Sequence, residues 1–210
     1  DGSVSTGLYP TLHLQYELTE DQKLTASYSR RIQRPWAADL NPFVVYVDPA
    51  NRRSGNPGLE PAITDSWEAG WEYRDGPTMV LASVYLRDNF DGFTDITRDI
   101  GGGVLLTTKE NLASSRDWGL ELTASGKLRE GLTYQVWGDV HWNEIDGSAL
   151  TGAIDRSDVV YFASATVNWQ VTPDDFVQLQ GFGWSGQLTP QGRFEGTWAL
   201  NLGYRHKVNE

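Results

Sequence analysis

The residue types that most often carry catalysis or bind metals are few and scattered in this sequence. Its three histidines, His13, His141 and His206, lie far apart and lack the spacing of a zinc site. The absence of cysteine excludes disulfides and thiolate ligands, and no Gly-x-Ser-x-Gly motif offers a serine nucleophile. We therefore predict that the chain is not an enzyme and that it holds no metal and no cofactor.

Two further segments have the composition of binding loops without the required pattern. The glycine triplet at residues 101–103 is not followed by the Lys-Ser/Thr pair of a phosphate-binding loop, so we expect a plain loop tip. A run of acids has a superficial calcium-loop spacing, and it consists of Asp88, Asp91, Asp95 and Asp99. This run lacks the alternating ligand positions and the closing glutamate of an EF-hand. We interpret it as a solvated acidic loop.

Two clusters of side chains are better candidates for ligand binding. The basic cluster consists of Arg30, Arg31, Arg34, Arg52 and Arg53. It could attract an anionic ligand, and the alternative is that its arginines pair with lipid phosphates or with acids such as Asp39 and Asp48. The aromatic cluster consists of Trp36, Phe43, Tyr46 and Phe90, which could stack on a ligand or pack within a loop. The residues we select as ligand-binding candidates are Arg31, Arg34, Trp36, Tyr46, Arg52 and Arg53.

The charge and hydropathy of the chain narrow the class of protein. Among 210 residues, 28 acidic against 17 basic side chains give a net charge of -11, which argues against a nucleic-acid partner. No stretch reaches the ~18 consecutive apolar residues of a membrane helix. Hydropathy alone would therefore indicate a soluble protein, but strands of a transmembrane barrel alternate apolar and polar residues and average to a hydrophilic composition.

Period-two alternation of apolar and polar residues runs through the sequence and indicates β-strands. Leu12, Leu14 and Tyr16 alternate with polar residues, and Leu120 and Leu122 do the same further along. Such segments predict about nine strands. The histidines fall on the polar face of their predicted strands, and nine tyrosines and tryptophans fall on the apolar face. Those aromatic residues are Tyr16, Tyr28, Trp67, Trp71, Tyr73, Trp142, Trp169, Trp198 and Tyr204.

The connections between the predicted strands alternate in length. Short turns are expected near residues 19–22, 74–76, 129–131 and 172–175. Long connections are expected near residues 34–63, 88–115, 146–158 and 186–196. Tight turns on one side and long loops on the other are typical of outer-membrane barrels, whose turns are periplasmic and whose long loops are extracellular. We predict an all-β fold, an antiparallel transmembrane β-barrel segment, rather than a soluble sandwich.

Several motifs resemble those of TonB-dependent receptors. The pair Arg34-Pro35 ends a strand, and the run Gly-Asn-Pro-Gly-Leu-Glu-Pro at residues 55–61 precedes the aromatic, Glu-rich strand at 67–73. Further on, Glu110-Asn111-Leu112 is followed by Gly-Leu-Glu-Leu at residues 119–122. The resemblance extends from about Leu12 to Lys207, and Ala62 departs from the acidic residue that the family often has there.

The resemblance implies outer-membrane uptake of a scarce nutrient, either a ferric chelate or another small organic ligand. Receptors of this family have about 22 strands and an N-terminal plug domain that contacts the TonB complex. About nine strands and no terminal aromatic residue indicate an internal stretch without plug or final strands, so residues 1–210 form one partial barrel domain. Its partners would be outer-membrane lipid, the ligand, and the TonB complex through the plug. The alternative is a small complete barrel that acts as an anchor, an adhesin or a passive pore.

Overall fold

The computed structural model describes residues 7–148, 150 and 152–208. Nine long strands form one antiparallel sheet, as the alternation predicts, and each is hydrogen-bonded to its neighbours in chain order. These strands are β1 (Thr11–Thr19), β2 (Gln22–Gln33), β5 (Ala62–Asp75), β6 (Thr78–Phe90), β9 (Ser114–Arg129), β10 (Leu132–Asp146), β11 (Arg156–Gln170), β12 (Asp175–Thr189) and β13 (Gly192–His206). The shorter elements are α1 (Ala37–Leu40), β3 (Val45–Tyr46), β4 (Asn51–Ser54), β7 (Phe93–Asp99) and β8 (Leu105–Asn111).

The pairing register brings the apolar positions of successive strands onto one side of the sheet, which we name the apolar face. One row of directly paired residues crosses seven strands, and it consists of Leu14, Ala26, Ala69, Val84, Leu120, Val140 and Tyr161. Leu14 and Val84 are 57% and 55% exposed in this row. So large an exposed apolar surface requires a lipid environment.

Aromatic residues border the apolar face at both ends of its strands. The row Tyr28, Trp67, Trp118 and Trp142 lies toward the long connections, and the rings of Tyr28 and Trp67 are 5.4 Å apart. Tyr73, Tyr134 and Trp169 lie toward the short turns. Trp142 and Tyr134 are separated by about 26 Å of strand, which, allowing for strand tilt, approaches the ~25 Å height of a barrel's apolar band. The aromatic positions predicted for this face are confirmed.

The opposite side, which we name the polar face, carries His13, Ser27, Glu68, Tyr85 and His141 in neighbouring register positions. The prediction that all the histidines lie on this face was wrong for His206. It follows Tyr204 by two residues and therefore shares the side of the apolar face, because side chains alternate along a strand. There its Nδ1 lies 2.8 Å from an oxygen of Asp175.

The short turns and three of the long connections agree with the sequence expectation, but the fourth long connection does not. Instead of a loop at residues 186–196, β12 and β13 stay paired up to Thr189 and Gly192 and turn at residues 190–191. The glycines of this segment, which suggested a loop in the sequence, permit a close approach of the two strands. A Cβ at Gly196 would lie 1.9 Å from the carbonyl oxygen of Trp184.

A second sheet occupies the two longest connections, and its strand order is β3-β4-β8-β7. The interpretation of a solvated acidic loop was wrong for three of its four residues. Asp88 lies in β6 and pairs with Arg116, and Asp95 and Asp99 lie in β7, where Asp95 pairs with Arg53 and Lys109. The triplet at residues 101–103 forms the tip of the β7–β8 hairpin, as expected, with all three glycines at positive φ. Sequence analysis missed this sheet because its strands are short and carry mixed polar residues.

A small apolar core lies at the end of the main sheet that bears the long connections. It joins Ile96, Leu112, Ile145, Leu150 and Leu188, and Ile96 is 0% exposed. The core thus packs the second sheet against the ends of β10 and β12. No helix within the described residues has the length and the apolar composition that crossing a membrane would require.

Because the two faces meet different surroundings, an arginine introduced at adjacent positions of one strand should change the stability of the barrel on one face only. Leu122 lies on the apolar face and Thr123 on the polar face of β9. We expect Leu122→Arg to destabilise the inserted barrel by about 2–4 kcal/mol, since arginine near the bilayer centre is costly on the lipid side. Thr123→Arg is the matched control and should assemble near the level of the unchanged protein. Heat-modifiable mobility in gels measures the folded fraction, and equal yields of both variants would contradict the assignment of faces.

Candidate functional site

The second sheet joins two connections that are distant in sequence, and this juxtaposition creates the candidate site. β4 and β8 pair in parallel from Asn51 with Leu105 to Ser54 with Thr108. Asn56 donates its side-chain amide to the carbonyl of Lys109 at 3.1 Å. The Gly-Asn-Pro run of the sequence therefore has a structural purpose, because it ties the first connection to the second.

Gly55 brings α1 close to the same sheet. Its N–H donates to the carbonyl of Asn41 at 2.7 Å, and the next N–H, of Asn56, donates to that of Asp39 at 2.6 Å. A Cβ at Gly55 would lie 2.4 Å from the carbonyl oxygen of Asp39. Only glycine fits this approach, which forms one wall of the recess beside β4.

β4 presents its two arginines on opposite sides, because side chains alternate along a strand. Arg53 lines a recess of about 360 Å³ whose walls include Phe43, Val45, Asp95 and Lys109. A guanidinium nitrogen of Arg53 lies 2.8 Å from Asp95, and the ammonium of Lys109 lies 3.4 Å from the other oxygen of that carboxylate. We name this space the β4 recess. Two cations sharing one carboxylate beside apolar walls can orient a ligand that has a polar and an apolar part.

Arg52 and Tyr46 lie on the other side of β4. The guanidinium of Arg52 stacks over the ring of Tyr46, 3.9 Å from its centroid, and donates to the carbonyl of Asn51 at 3.1 Å. Tyr46 nevertheless remains 74% exposed. These two predicted site residues contact each other but do not line the β4 recess.

The other three predicted site residues are placed elsewhere. Arg31 lies on the polar face of β2 and donates to the hydroxyl of Thr11 at 2.8 Å. Arg34 is exposed just beyond β2, and Trp36 is 75% exposed at the start of α1. The basic cluster is also divided, because Arg30 lies on the side of the apolar face at 3.6 Å from Asp65.

The residues that sequence analysis missed come from the second long connection. These residues are Lys109 and Asp95, which complete the β4 recess. Phe43 of the first connection, which sequence analysis assigned to the aromatic cluster, forms part of the apolar wall. An acidic residue on β7 that faces a lysine on β8 carries no local sequence signal. Only the pairing of Asp95 with Lys109 across the hairpin brings these residues to Arg53.

The polar face holds a second group of interacting side chains. The hydroxyl of Tyr85 donates to Asp139 at 2.7 Å, and Nδ1 of His141 lies 2.5 Å from the other carboxylate oxygen. Tyr85 is 7% exposed, so this contact is shielded from water. Within the described ranges, no three or more histidine, aspartate or glutamate side chains are placed to hold a metal ion.

The sheet, its apolar face and its aromatic borders agree with the comparison with known families. Residues 4–210 match the outer membrane protein beta-barrel family. The chain belongs to this family. It is therefore an outer-membrane protein whose apolar face meets lipid and whose polar face lines the barrel interior. The long connections and the β4 recess lie at the extracellular end.

Solved structures of outer-membrane receptors and transporters share the fold. The siderophore receptor PirA from Pseudomonas aeruginosa matches with a TM-score of 0.67 at 18% identity, over 96% of this chain and 36% of that protein. The copper transporter OprC gives a TM-score of 0.69 at 16% identity over 96% and 31%. The ferric enterobactin receptor PfeA from Pseudomonas aeruginosa gives 0.60 at 19% identity over 96% and 33%.

The chain thus spans about a third of the length of these structures. At such identities the likeness concerns the fold, and it confirms the barrel wall that the resemblance to TonB-dependent receptors implies. Among curated proteins, none matches the chain.

The turn between β3 and β4 depends on the charge of Asp48. Hydrogen bonds from the Asn51 side chain and from the backbone N–H groups of Ala50 and Asn51 hold the pKa of Asp48 below its ordinary value of 3.8. Because the folded pKa is depressed, the turn is stabilised fully above this ordinary value and loses that stabilisation as the pH falls through the lower folded pKa. NMR shifts of the Ala50 and Asn51 amides should titrate together there. Asp48→Asn should remove this titration, and its persistence would assign it to another group.

Proposed function

We propose that this chain forms part of the barrel of a TonB-dependent receptor that takes up a scarce nutrient, either a ferric chelate or another small organic ligand. The fold supports uptake, since the matching structures are a siderophore receptor, a ferric enterobactin receptor and a copper transporter. The observation that carries the proposal is the β4 recess, an extracellular concavity in which Arg53, Lys109 and Asp95 lie beside apolar side chains.

The β4 recess favours a ligand that has both an apolar and an anionic part. Phe43 and Val45 supply the apolar wall, and Phe43 is 77% exposed, so its ring is available for stacking. Arg53 and Lys109 are already paired with Asp95. An anionic ligand therefore competes with this carboxylate, which makes binding selective for groups that both cations can reach.

The other predicted site residues would contact the ligand outside the β4 recess. Arg34, Trp36 and Tyr46 are exposed at or near the extracellular end and Arg52 is half-buried there, where they would contact the ligand before it reaches the barrel interior. Arg31 lies on the polar face and would meet it later. Energy for passage would come from the TonB complex through a plug domain, and outer-membrane lipid would surround the apolar face.

Dependence on TonB separates this proposal from the alternative of a passive pore, an anchor or an adhesin. We expect accumulation of a radiolabelled ferric chelate to fall to background both when the gene for this protein is deleted and when the gene for TonB is deleted. The chelate is chosen by screening structurally different ferric chelates with the native bacterium. Accumulation that requires this protein but not TonB would favour the pore. No dependence of any tested solute on this protein would favour the anchor or the adhesin.

Substitutions in the β4 recess should change affinity in opposite directions. Arg53→Ala removes a cation and should raise the Kd of the transported anionic chelate about tenfold or more, the size expected for one charge-assisted hydrogen bond. Asp95→Asn removes the competing carboxylate and should lower the Kd. Arg98→Ala is the matched control, because Arg98 lies on the opposite side of β7 from Asp95 and pairs with Glu110.

Equilibrium binding to the full-length protein in outer-membrane vesicles measures these changes. A Kd that responds equally to Arg98→Ala and Arg53→Ala would show that the β4 recess is not where the ligand binds. Weaker binding by Asp95→Asn would mean that the bound group is cationic instead.

A further inference from the structure

We propose that the second sheet is a hinged flap that covers a chamber on the barrel interior, and that Gln191 is its latch. The name flap denotes β3, β4, β7 and β8 together. This inference goes beyond nutrient uptake, because it concerns how the interior is opened and closed. It rests on a hinge, an interface and a cavity, each formed by different residues.

The hinge lies where both strands of the β6–β9 hairpin leave the regular ladder at the same level, and only the Leu112 N–H to the Gly92 carbonyl at 2.7 Å and the Asn111 side-chain amide to the Asp91 carbonyl at 2.5 Å bridge the described residues there. Phe90 pairs with Ser114 in the main sheet, and Phe93 pairs with Asn111 in the flap. Between them, Asp91 has φ 55°, a left-handed conformation that is uncommon for a residue other than glycine. Gly92 follows, and a Cβ there would meet nothing within 4 Å. A short strained segment next to a glycine is suited to absorb a change in backbone angles.

The flap moves as one body because its strands are tied to one another. Arg53 of β4 pairs with Asp95 of β7, and β4 pairs with β8 through the backbone. Asn111 at the end of β8 accepts from the N–H of Glu60 and donates to its carbonyl, each at 2.9 Å. Both long connections are therefore coupled, and lifting one requires lifting the other.

The latch joins the flap to the tip of the β12–β13 hairpin. The side-chain amide of Gln191 accepts from the N–H of Thr97 at 2.8 Å and donates to the carbonyl of Thr97 at 3.0 Å. One side chain thus imitates the pairing that a neighbouring strand would offer to β7. Pro190, beside it, is fully buried, and its carbonyl accepts from the N–H of Ile154 at 3.2 Å.

The interface under the flap is small and can open without unfolding the barrel wall. Ile96 of β7 packs with Leu188 of β12 and Ile145 of β10. These contacts are apolar and lie beyond the rows that span the membrane. Opening therefore breaks a few side-chain contacts and the two Gln191 hydrogen bonds, while the backbone ladder of the main sheet stays intact.

A chamber of about 310 Å³ lies behind this interface. The flap contributes Phe93 and Thr94, and the polar face contributes Ser115, Asp117 and His141. Nδ1 of His141 lies against Asp139, and its other ring nitrogen, which has no hydrogen-bond partner among the described residues, can meet a group inside the chamber. Closing the flap shields these polar groups, and opening it connects them to the extracellular side.

Thiol labelling of the full-length protein in outer-membrane vesicles tests the latch without requiring transport. These 210 residues contain no cysteine, so once any cysteine elsewhere in the full-length protein is replaced, single reporters can be introduced at Ile96 under the flap, at Ser115 in the chamber and at Ser83 in the wall. Ile96→Cys should react slowly with a membrane-impermeant thiol reagent, because Ile96 is 0% exposed. Adding Gln191→Ala should accelerate labelling of Ile96→Cys and Ser115→Cys about tenfold, the size expected for losing one or two hydrogen bonds.

Two comparisons make the test decisive. Gln178→Ala removes a glutamine of β12 that donates to Asn168 at 2.8 Å, far from the flap, and it should leave all labelling rates unchanged. Gln191→Glu keeps an acceptor for the Thr97 N–H but loses the donor, so it should give a smaller acceleration than alanine. The proposal is overturned if Gln191→Ala leaves Ile96→Cys unchanged, or if it accelerates Ser83→Cys equally, since the wall itself would then be loosened.

Discussion

Every backbone donor and acceptor of a strand in hydrocarbon must be paired with a neighbouring strand, and the rest of this structure depends on that constraint. The nine long strands meet it through ladders that run almost without interruption, with register shifts near the short turns of β1–β2 and β9–β10. Because side chains alternate along a strand, the continuous register between these shifts assigns each strand residue either to lipid or to the barrel interior. A slip of a single residue would exchange the faces.

Beyond the membrane the constraint no longer holds, and the chain pairs differently there. β6 and β9 separate at Asp91 and Ala113, and the hairpin continues as β7 and β8, which adopt a new partner in β4. Water can satisfy backbone groups at this level, so short strands, a parallel pair and an exposed edge at β3 are all tolerated. The buried core around Ile96 lies here because the wall keeps its apolar side chains for lipid.

The arginines illustrate how local pairing shapes a site in an acidic chain. Arg53 is held by Asp95, Arg30 by Asp65, and Arg52 by the ring of Tyr46. Arg53 and Arg30 thus have acidic partners, although these are not the Asp39 and Asp48 carboxylates that sequence proximity suggests. A paired cation at a concave surface remains available to a ligand that offers a better arrangement of acceptors. The β4 recess places such cations at the extracellular end, and the chamber behind the flap places Ser115, Asp117 and His141 toward the interior.

The sequence by itself determined the wall of this protein. Alternation in segments such as residues 12–18 and 120–124 specifies strands and their lipid face, because the period of a strand is two and each face has a different solvent. Loop lengths distinguish the extracellular end of the strands from the periplasmic end, and tyrosine and tryptophan positions mark the two borders of the lipid face. The glycines near residues 186 and 196 misled that interpretation, since glycine permits both a loop and a close approach of paired strands.

Only the tertiary structure decided the site. Arg53, Asp95 and Lys109 meet through a parallel strand pair, and Gln191 reaches Thr97 across two hairpins. Such contacts join residues that are distant in sequence, and no local periodicity encodes them.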